Sequence, residues 1–187
     1  MDTVLTIGTP GAVEGASDFD ALVQVYRPRV FRFLLASLRD RESAENLTQD
    51  CFLRAYKARE QFRGASSQAT WLIQIAINLV RKHESNSRLK FWRRALSPGL
   101  DAADLRDWVP NQEISQEAAV LAKEQVAAIW NVVAQLSERQ RTVFLLRFVE
   151  DMDLLEIAAA TGMKEGTVKT HLFRALQSVR AKQEITK

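Results

Sequence analysis

Residues 164–182 carry the side chains of this chain best suited to contacting a nucleic acid. Lys169, Thr170 and Arg174 lie off the apolar stripe of a helix that the three- and four-residue spacing of its apolar residues predicts. Lysine and arginine bond to phosphate or guanine, and threonine bonds to phosphate or contacts a thymine methyl group. Five basic residues stand here against one acidic residue, Glu165, so the local charge is +4. The stretch predicts a DNA-binding helix, and the alternative is an ordinary helix with a solvated basic face.

A shorter helix is predicted just before this one. Asp153 and Glu156 have the spacing of a capping box, in which each side chain accepts a hydrogen bond from the other residue's backbone N–H. Gly162 is expected to end that helix, because glycine adopts a left-handed conformation at little steric cost. Two short helices joined by a tight glycine turn make a helix-turn-helix. Thr167, Lys169 and Thr170 then lie early in the second helix, where recognition helices reach base edges and phosphates.

Few reactive side chains remain that could support catalysis. The chain has two histidines, His83 and His171, and one cysteine, Cys51. They form no nucleophile–base pair and have no metal-ligand spacing, so we expect no catalytic residue, no metal and no cofactor. Cys51 lies on an apolar helical pattern, which favours a buried packing thiol.

Composition sets further bounds on the function. The chain has 187 residues, 47% of them apolar, a net charge of +3 and a pI near 9.2. This mild basicity means that a nucleic-acid site must come from local clustering of charge. Membrane insertion is not expected, since no run of about 18 apolar residues occurs. The N-terminus also lacks the pattern of a signal peptide, so we expect a cytoplasmic location.

The apolar periodicity is helical throughout and predicts an all-α protein. Helices are expected from Ser17, where Pro28 should split or kink the segment, then over 43–61 and 68–84. A proline-containing acidic stretch follows a basic one, as in an interdomain linker. We therefore predict a flexible tail (1–16), a helical domain (17–96), a flexible linker (97–113) and a second small domain (114–183). The second domain is a four-helix unit that contains the helix-turn-helix.

Three stretches resemble one family, the bacterial RNA polymerase sigma factors. They are AENLTQDCFLRAYKAREQFRG at 44–64, TWLIQIAINLVRKH at 70–83, and LSERQRTVFLLRFVEDMDLLEIAAATGMKEGTVKTHLFRALQSVR at 136–180. The short layout resembles the extracytoplasmic-function group, which keeps only the second and fourth sigma regions. The resemblance covers about residues 18–183, with separate motifs in the right order.

The resemblance implies that the chain binds core RNA polymerase through two of its subunits. The helix over Ala44–Lys57 resembles the surface that binds the clamp of the largest subunit, and the flap of the second-largest subunit is the other contact. The clamp-binding residues would be Glu45, Gln49, Asp50 and Arg54. The alternative for this helix is a solvated face without a partner. The resemblance also implies an anti-sigma factor as a restraining partner.

The resemblance implies contacts to promoter DNA at two elements. The loop at 62–67 and the helix after it would open the −10 element, with contacts from Arg63, Gly64, Ser66, Ser67, Asn78, Arg81, Lys82, His83 and Arg88. Melting needs a base to leave the stack, and small residues let the backbone approach that base. The readers of the −35 element would be Arg147, Thr167, Lys169, Thr170, Phe173 and Arg174. Phe173 could equally be a core residue, and Trp71 is favoured as a core anchor over a stacking platform.

Two other functions remain as alternatives to a sigma factor. A stand-alone helix-turn-helix transcriptional regulator would need a sensing or phosphoacceptor domain, and residues 17–90 show no such βαβ pattern. A helical adaptor protein would bind other proteins only. Salt-dependent promoter binding together with core polymerase distinguishes the adaptor from a sigma factor.

Overall fold

A computed structural model describes residues 16–64, 66–90 and 116–185, with side chains over 18–64, 66–85 and 126–181. Over these residues the chain forms seven α-helices, a 3-10 helix at Arg59–Gln61, and no strand. The helices are α1 (Ala16–Leu38), α2 (Arg41–Ala58), α3 (Gln68–Lys90), α4 (Gln116–Gln135), α5 (Glu138–Phe148), α6 (Leu154–Thr161) and α7 (Glu165–Ile185). This confirms the all-α prediction. The predicted linker and all of the predicted tail but Ala16 fall outside the described residues.

Helices α1, α2 and α3 pack around one apolar core. Its largest fully buried side chains are Phe33, Leu34, Leu72, Ile73 and Ile77. Cys51 belongs to this core, and its thiol points at the backbone carbonyl of Leu72, 3.5 Å from the oxygen. Burial raises the pKa of Cys51 to about 12. The prediction of a buried packing thiol is confirmed.

The first helix is continuous. Of the two outcomes predicted for Pro28, a split or a kink, the split is therefore wrong and the kink stays a prediction. Helix α1 runs through Pro28 from Ala16 to Leu38. Proline removes one helical hydrogen bond and crowds the preceding turn. Here Phe19 and Leu22 before the proline, and Val30 and Phe33 after it, are all buried in the same core. We attribute the continuity of the helix to this packing on both sides of the proline.

A side-chain cap moves the start of one helix from its predicted position, and another helix ends later than predicted. Helix α2 begins two residues before Ser43, because Asp40 is its N-cap and accepts a hydrogen bond from the Ser43 N–H at 3.0 Å. Helix α3 begins as predicted, where the Ser67 hydroxyl accepts from the Thr70 N–H at 3.1 Å. It continues to Lys90, beyond the predicted end at residue 84.

Helices α4–α7 form the second packed unit, which contains the predicted helix-turn-helix. Asp153 and Glu156 form the capping box at the start of α6, with N···O distances of 2.8 and 2.9 Å. Gly162 ends α6 in the left-handed region, with φ of 71°, and α7 begins at Glu165. Val168, Ala175 and Val179 of α7 are buried against the other helices. The four-helix prediction is confirmed.

The two units lie against each other in this structure. Helix α1 contacts α5, and α3 contacts α6. Ion pairs cross the boundary from Arg29 and Arg32 to Glu150, and from Arg81 to Glu138 at 3.3 Å. Sequence periodicity did not predict this packing, because the partners lie more than 50 residues apart in the chain.

Candidate nucleic-acid interface

Helix α7 presents its polar residues outward, opposite the buried stripe. Thr167, Lys169, Thr170 and Arg174 are exposed. Phe173, for which the sequence left core and surface positions open, is 60% exposed. These residues together offer cations, hydroxyls and an aromatic ring on one side of a helix held by its apolar face, which is the arrangement needed to enter a DNA groove.

Two of these side chains have partners within their own helix. The Lys169 ammonium lies 2.7 Å from the Glu165 carboxylate, one helical turn earlier, and both groups are largely solvated. The Thr170 hydroxyl donates to the Gly166 carbonyl at 2.9 Å. An exposed ion pair of this kind contributes only about 0.3–0.5 kcal/mol. The Lys169 ammonium can therefore leave Glu165 and bind a phosphate or a base at little cost.

The predicted −35 residue Arg147 is placed differently from the others. It lies at the end of α5, where its guanidinium donates to the Met152 carbonyl at 3.1 Å and lies 3.6 Å from Asp151. These contacts brace the turn between α5 and α6. Part of the side chain remains solvated, so it can still reach a DNA backbone beside α7.

Two basic groups beside Arg174 were not predicted from the sequence. The pKa of His171 is lowered, first by burial and then by the nearby positive charges of Arg139 and Arg174. The Nδ1 atom of His171 is buried and has no hydrogen-bond partner among the described residues. Arg139 comes from the start of α5 and is exposed. It carries no local sequence signal, because only the packing of α5 on α7 brings it to this face.

The predicted −10 residues of α3 fall into a free group and a paired group. Asn78 and Lys82 are exposed, one helical turn apart, and His83 is partly exposed beside them. Arg81 is paired with Glu138 of α5 at 3.3 Å and is partly solvated. The side chain of Arg88 lies outside the described residues. Asn78 and Lys82 therefore form the accessible part of the predicted α3 face.

The loop before α3 has its small residues at the surface. Arg63 and Gly64 are exposed, and Gly64 has a left-handed φ of 69°. Ser66 is partly exposed, and the Ser67 hydroxyl is used in capping α3, where it also bonds the Thr70 hydroxyl at 2.8 Å. Trp71 is half-buried and packs on the Phe62 ring, with the centroids 4.7 Å apart. One face of that indole is therefore already occupied by protein.

Helix α2 presents a polar face that includes a large apolar residue. Glu45, Gln49, Asp50 and Arg54 are all exposed, as predicted for this helix. Leu53 is 59% exposed and lies one turn after Gln49 and Asp50, so it shares their face. Sequence reasoning missed it, although its three- and four-residue spacing from these two polar residues could have placed it there. A single exposed leucine is common on protein surfaces, and here its position beside Gln49 and Asp50 gives this face the apolar centre and polar rim that protein interfaces have.

The described part of the chain offers no competing site for metal chemistry or membrane insertion. Among the residues with described side chains, no three histidine, cysteine, aspartate or glutamate side chains cluster closely enough to hold a metal ion. None of the described helices is long and apolar enough to cross a membrane. The chemistry that these surfaces do offer is hydrogen bonding and charge pairing with a nucleic acid or a protein.

Two family models match the chain, and known proteins are similar to it over most of its length. The family model for sigma-70 region 2 matches residues 22–90, and the model for sigma-70 region 4 matches residues 127–179. The chain is 30% identical over 165 residues to the RNA polymerase sigma-H factor of Pseudomonas aeruginosa, covering 86% of this chain and 83% of the relative. It is also 30% identical over 138 residues to the extracytoplasmic-function RNA polymerase sigma-E factor of Escherichia coli, covering 72% and 70%.

A solved structure has a similar fold. The sigma factor RpoE of Bartonella quintana, determined in complex with the anti-sigma factor NepR, superposes with a TM-score of 0.68 at 17% identity. The match covers 92% of this chain and 100% of that one.

Proposed function

Because the chain belongs to the extracytoplasmic-function group of the sigma-70 family of RNA polymerase sigma factors, we propose specific roles for three of its surfaces. The protein binds core RNA polymerase and directs promoter-specific transcription initiation. Sigma factors are non-enzymatic initiation factors, so this chain contributes recognition of the promoter and positioning of core polymerase on it. The proposed surfaces are the outer face of α7, the α3 face with its preceding loop, and the outer face of α2.

The outer face of α7 reads the −35 element. The observation that carries this role is the separation of the two faces of α7, with Val168 and Ala175 fully buried and Lys169 and Arg174 exposed. An early residue such as Lys169 enters the major groove, and a later one such as Arg174 contacts the backbone or a flanking base. Arg147 and Thr167 flank this contact, and Arg139 adds a further phosphate contact beside it.

The face of α3 and the loop before it bind the −10 element. Asn78 and Lys82 are exposed on consecutive turns, where they can hold the backbone of the opened strand. The exposed Gly64 lets a flipped base approach the backbone closely. Arg81 joins this contact only after its pairing with Glu138 is broken.

The outer face of α2 binds the clamp of the polymerase largest subunit. Asp50 and Glu45 supply negative charge for basic partner residues, and the exposed Leu53 supplies the apolar centre that such an interface needs. The flap of the second-largest subunit is proposed to contact the α4–α7 unit, where Phe148 and Leu155 are exposed apolar side chains.

Three further parts of the proposal concern regulation, location and domain organisation. Since the Bartonella quintana relative was solved with an anti-sigma factor, we propose a partner of this kind for the present chain. We place the protein in the cytoplasm, where core polymerase acts. We also propose the division into domains at 17–96 and 114–183, joined by a linker over 97–113.

Promoter opening by the reconstituted holoenzyme tests the α3 assignment. Permanganate, which oxidises unpaired thymines, should report an open −10 region when both core polymerase and this protein are present. Asn78→Ala combined with Lys82→Ala should reduce that reactivity. The control is Asn131→Ala, which replaces an exposed residue of α4 and should leave the reactivity unchanged. Equal opening by the double variant and the wild type would remove the α3 face from the proposal.

A further inference from the structure

A carboxylate is buried where the two packed units meet. Glu150 follows α5, and its side chain is 0% exposed. Arg29 of α1 donates from Nε to Oε2 at 2.8 Å and from Nη2 to the Glu150 carbonyl at 2.9 Å. Arg32, one helical turn later, donates from Nε to Oε1 at 3.1 Å and from Nη2 to Oε2 at 3.2 Å. Two guanidinium groups of one unit thus enclose one carboxylate of the other.

The energetics of this contact depend on the two units being together. Burial raises the pKa of Glu150, and the hydrogen bonds and charges of Arg32 and Arg29 oppose that shift. A buried carboxylate is strongly unfavourable without such partners, and hydrogen bonds to a charged group are stronger than neutral ones. If the units separate, the carboxylate and both arginines return to water. The closed arrangement therefore depends on both arginines, because without them Glu150 would be a buried carboxylate without a partner.

Other pairs join the same two units and involve a proposed DNA-binding residue. Arg81 of α3 pairs with Glu138 of α5 at 3.3 Å, and Glu84 of α3 pairs with Arg141 of α5. Helix α6, the first helix of the helix-turn-helix, contacts α3. Arg81 cannot bond a DNA phosphate and Glu138 with the same guanidinium edge, so closure and −10 binding compete for it.

Promoter geometry requires the closed arrangement to open. The −35 and −10 elements lie about 25 base pairs apart, or about 85 Å along the DNA at 34–36 Å per turn. Helix α3 contacts α6, which the turn at Gly162 joins directly to α7. Helix α3 has 23 residues and α7 has 21, about 35 and 32 Å at 1.5 Å per residue, so even their summed length falls short of 85 Å. The closed protein cannot place α3 and α7 on both elements at once.

We propose that the contact of Glu150 with Arg29 and Arg32 is a latch that holds the free protein closed and lowers its affinity for core polymerase until the two units separate. This inference rests on the proposed function only for its consequence, the lowered affinity. The closure itself is a property of the free chain. When only a fraction of molecules is open, the apparent dissociation constant rises by the inverse of that fraction.

The distance between the units in the free, full-length protein tests the latch. Gln24→Cys on α1 and Asn131→Cys on α4 introduce exposed thiols for spin labels, whereas the native Cys51 is buried, with its pKa raised to about 12, and stays unlabelled. Double electron–electron resonance should give one short distance for the wild type. Arg29→Ala combined with Arg32→Ala should lower the closed-to-open ratio by about 10- to 100-fold, the strength of charged hydrogen bonds.

A mutant cycle separates the latch from unspecific damage. In a Glu150→Gln background, removing both arginines should change the distance distribution far less, because no buried charge is left without a partner. Glu60→Gln, at an exposed carboxylate away from the boundary, is the matched control and should leave the protein closed. Circular dichroism should show unchanged helicity in every variant, since Arg29 and Arg32 are both partly solvated.

Binding to core polymerase provides the second measurement. The arginine double variant should bind core polymerase more tightly than the wild type does. The gain in affinity should be at most the 10- to 100-fold change in the closed-to-open ratio. An open wild type, or a double variant as closed as the wild type, would overturn the latch while leaving the promoter-reading proposal intact. A protein that opens as expected and gains no affinity for core would overturn the inhibitory role of closure.

Discussion

Replacing Lys169 by alanine should change which −35 sequences the holoenzyme prefers. The lysine is exposed and, among the residues that the structure describes, pairs only with Glu165, at 2.7 Å on the surface of α7. Breaking that pair costs about 0.3–0.5 kcal/mol, less than the 1–3 kcal/mol that a good base contact contributes. The lysine can therefore move from Glu165 to a base. Its loss should reduce discrimination at one base position by about 5- to 150-fold.

Replacing Arg174 should have a different effect, because it faces another direction. It follows Lys169 by five residues, which is about 140° around the helix and about 7.5 Å along it. A residue in that place more readily meets the phosphate backbone. Arg174→Ala should weaken binding to all sequences alike and reduce the salt dependence by about one phosphate contact, a slope change near 0.9. Neither variant should unfold the protein, because both side chains are exposed.

Promoter selection from a randomised −35 library, run with holoenzyme at several salt concentrations, separates the two effects. Arg180→Ala is the control, since it removes an exposed positive charge from the same helix three turns after Lys169 and should leave sequence preference unchanged. A Lys169→Ala holoenzyme with unchanged preference, together with an altered preference for Arg174→Ala, would reverse the two roles. Normal selection by both variants would show that the recognition surface lies elsewhere.

Three other predictions concern binding and stability. Asp50→Ala should weaken the binding of core polymerase, measured by titration, without loss of helicity, since Asp50 is exposed beside Leu53; an unchanged affinity would remove it from the interface. Asp153→Ala should destabilise the protein by about 0.5–2 kcal/mol in denaturant unfolding, because it removes the side-chain cap of α6; an unchanged midpoint would show that the cap is dispensable. Cys51 should resist thiol reagents until the protein unfolds. The free energy of unfolding should also fall as the pH rises from 9 to 12. In that range the unfolded thiol ionises, while the pKa of the folded one is raised to about 12; rapid native labelling would contradict this burial.

The helix-turn-helix was predictable from sequence because its determinants are local. The capping box of Asp153 and Glu156 and the left-handed Gly162 lie within ten residues of each other, and the structure contains both. The continuity of α1 was not predictable in this way. Pro28 is a local signal against a helix, and the packing that overrides it comes from α2 and α3.

The contact between the two units was also beyond sequence reasoning. Glu150 looks like an ordinary acidic residue at the end of a helix, and its partners Arg29 and Arg32 lie more than 100 residues earlier in the chain. No periodicity connects positions so far apart. Leu53 was missed for another reason, since a single exposed leucine on an amphipathic helix is common and only its position beside Asp50 gives it meaning.

The most direct test of the central claim is to map transcription start sites on a library of promoter fragments with core polymerase, with and without this protein. We predict new start sites that depend on the protein, each preceded by shared −10 and −35 sequences, and loss of the shared −35 preference with Lys169→Ala. A pattern of start sites no different from that of core polymerase alone would contradict the claim that this chain directs promoter recognition.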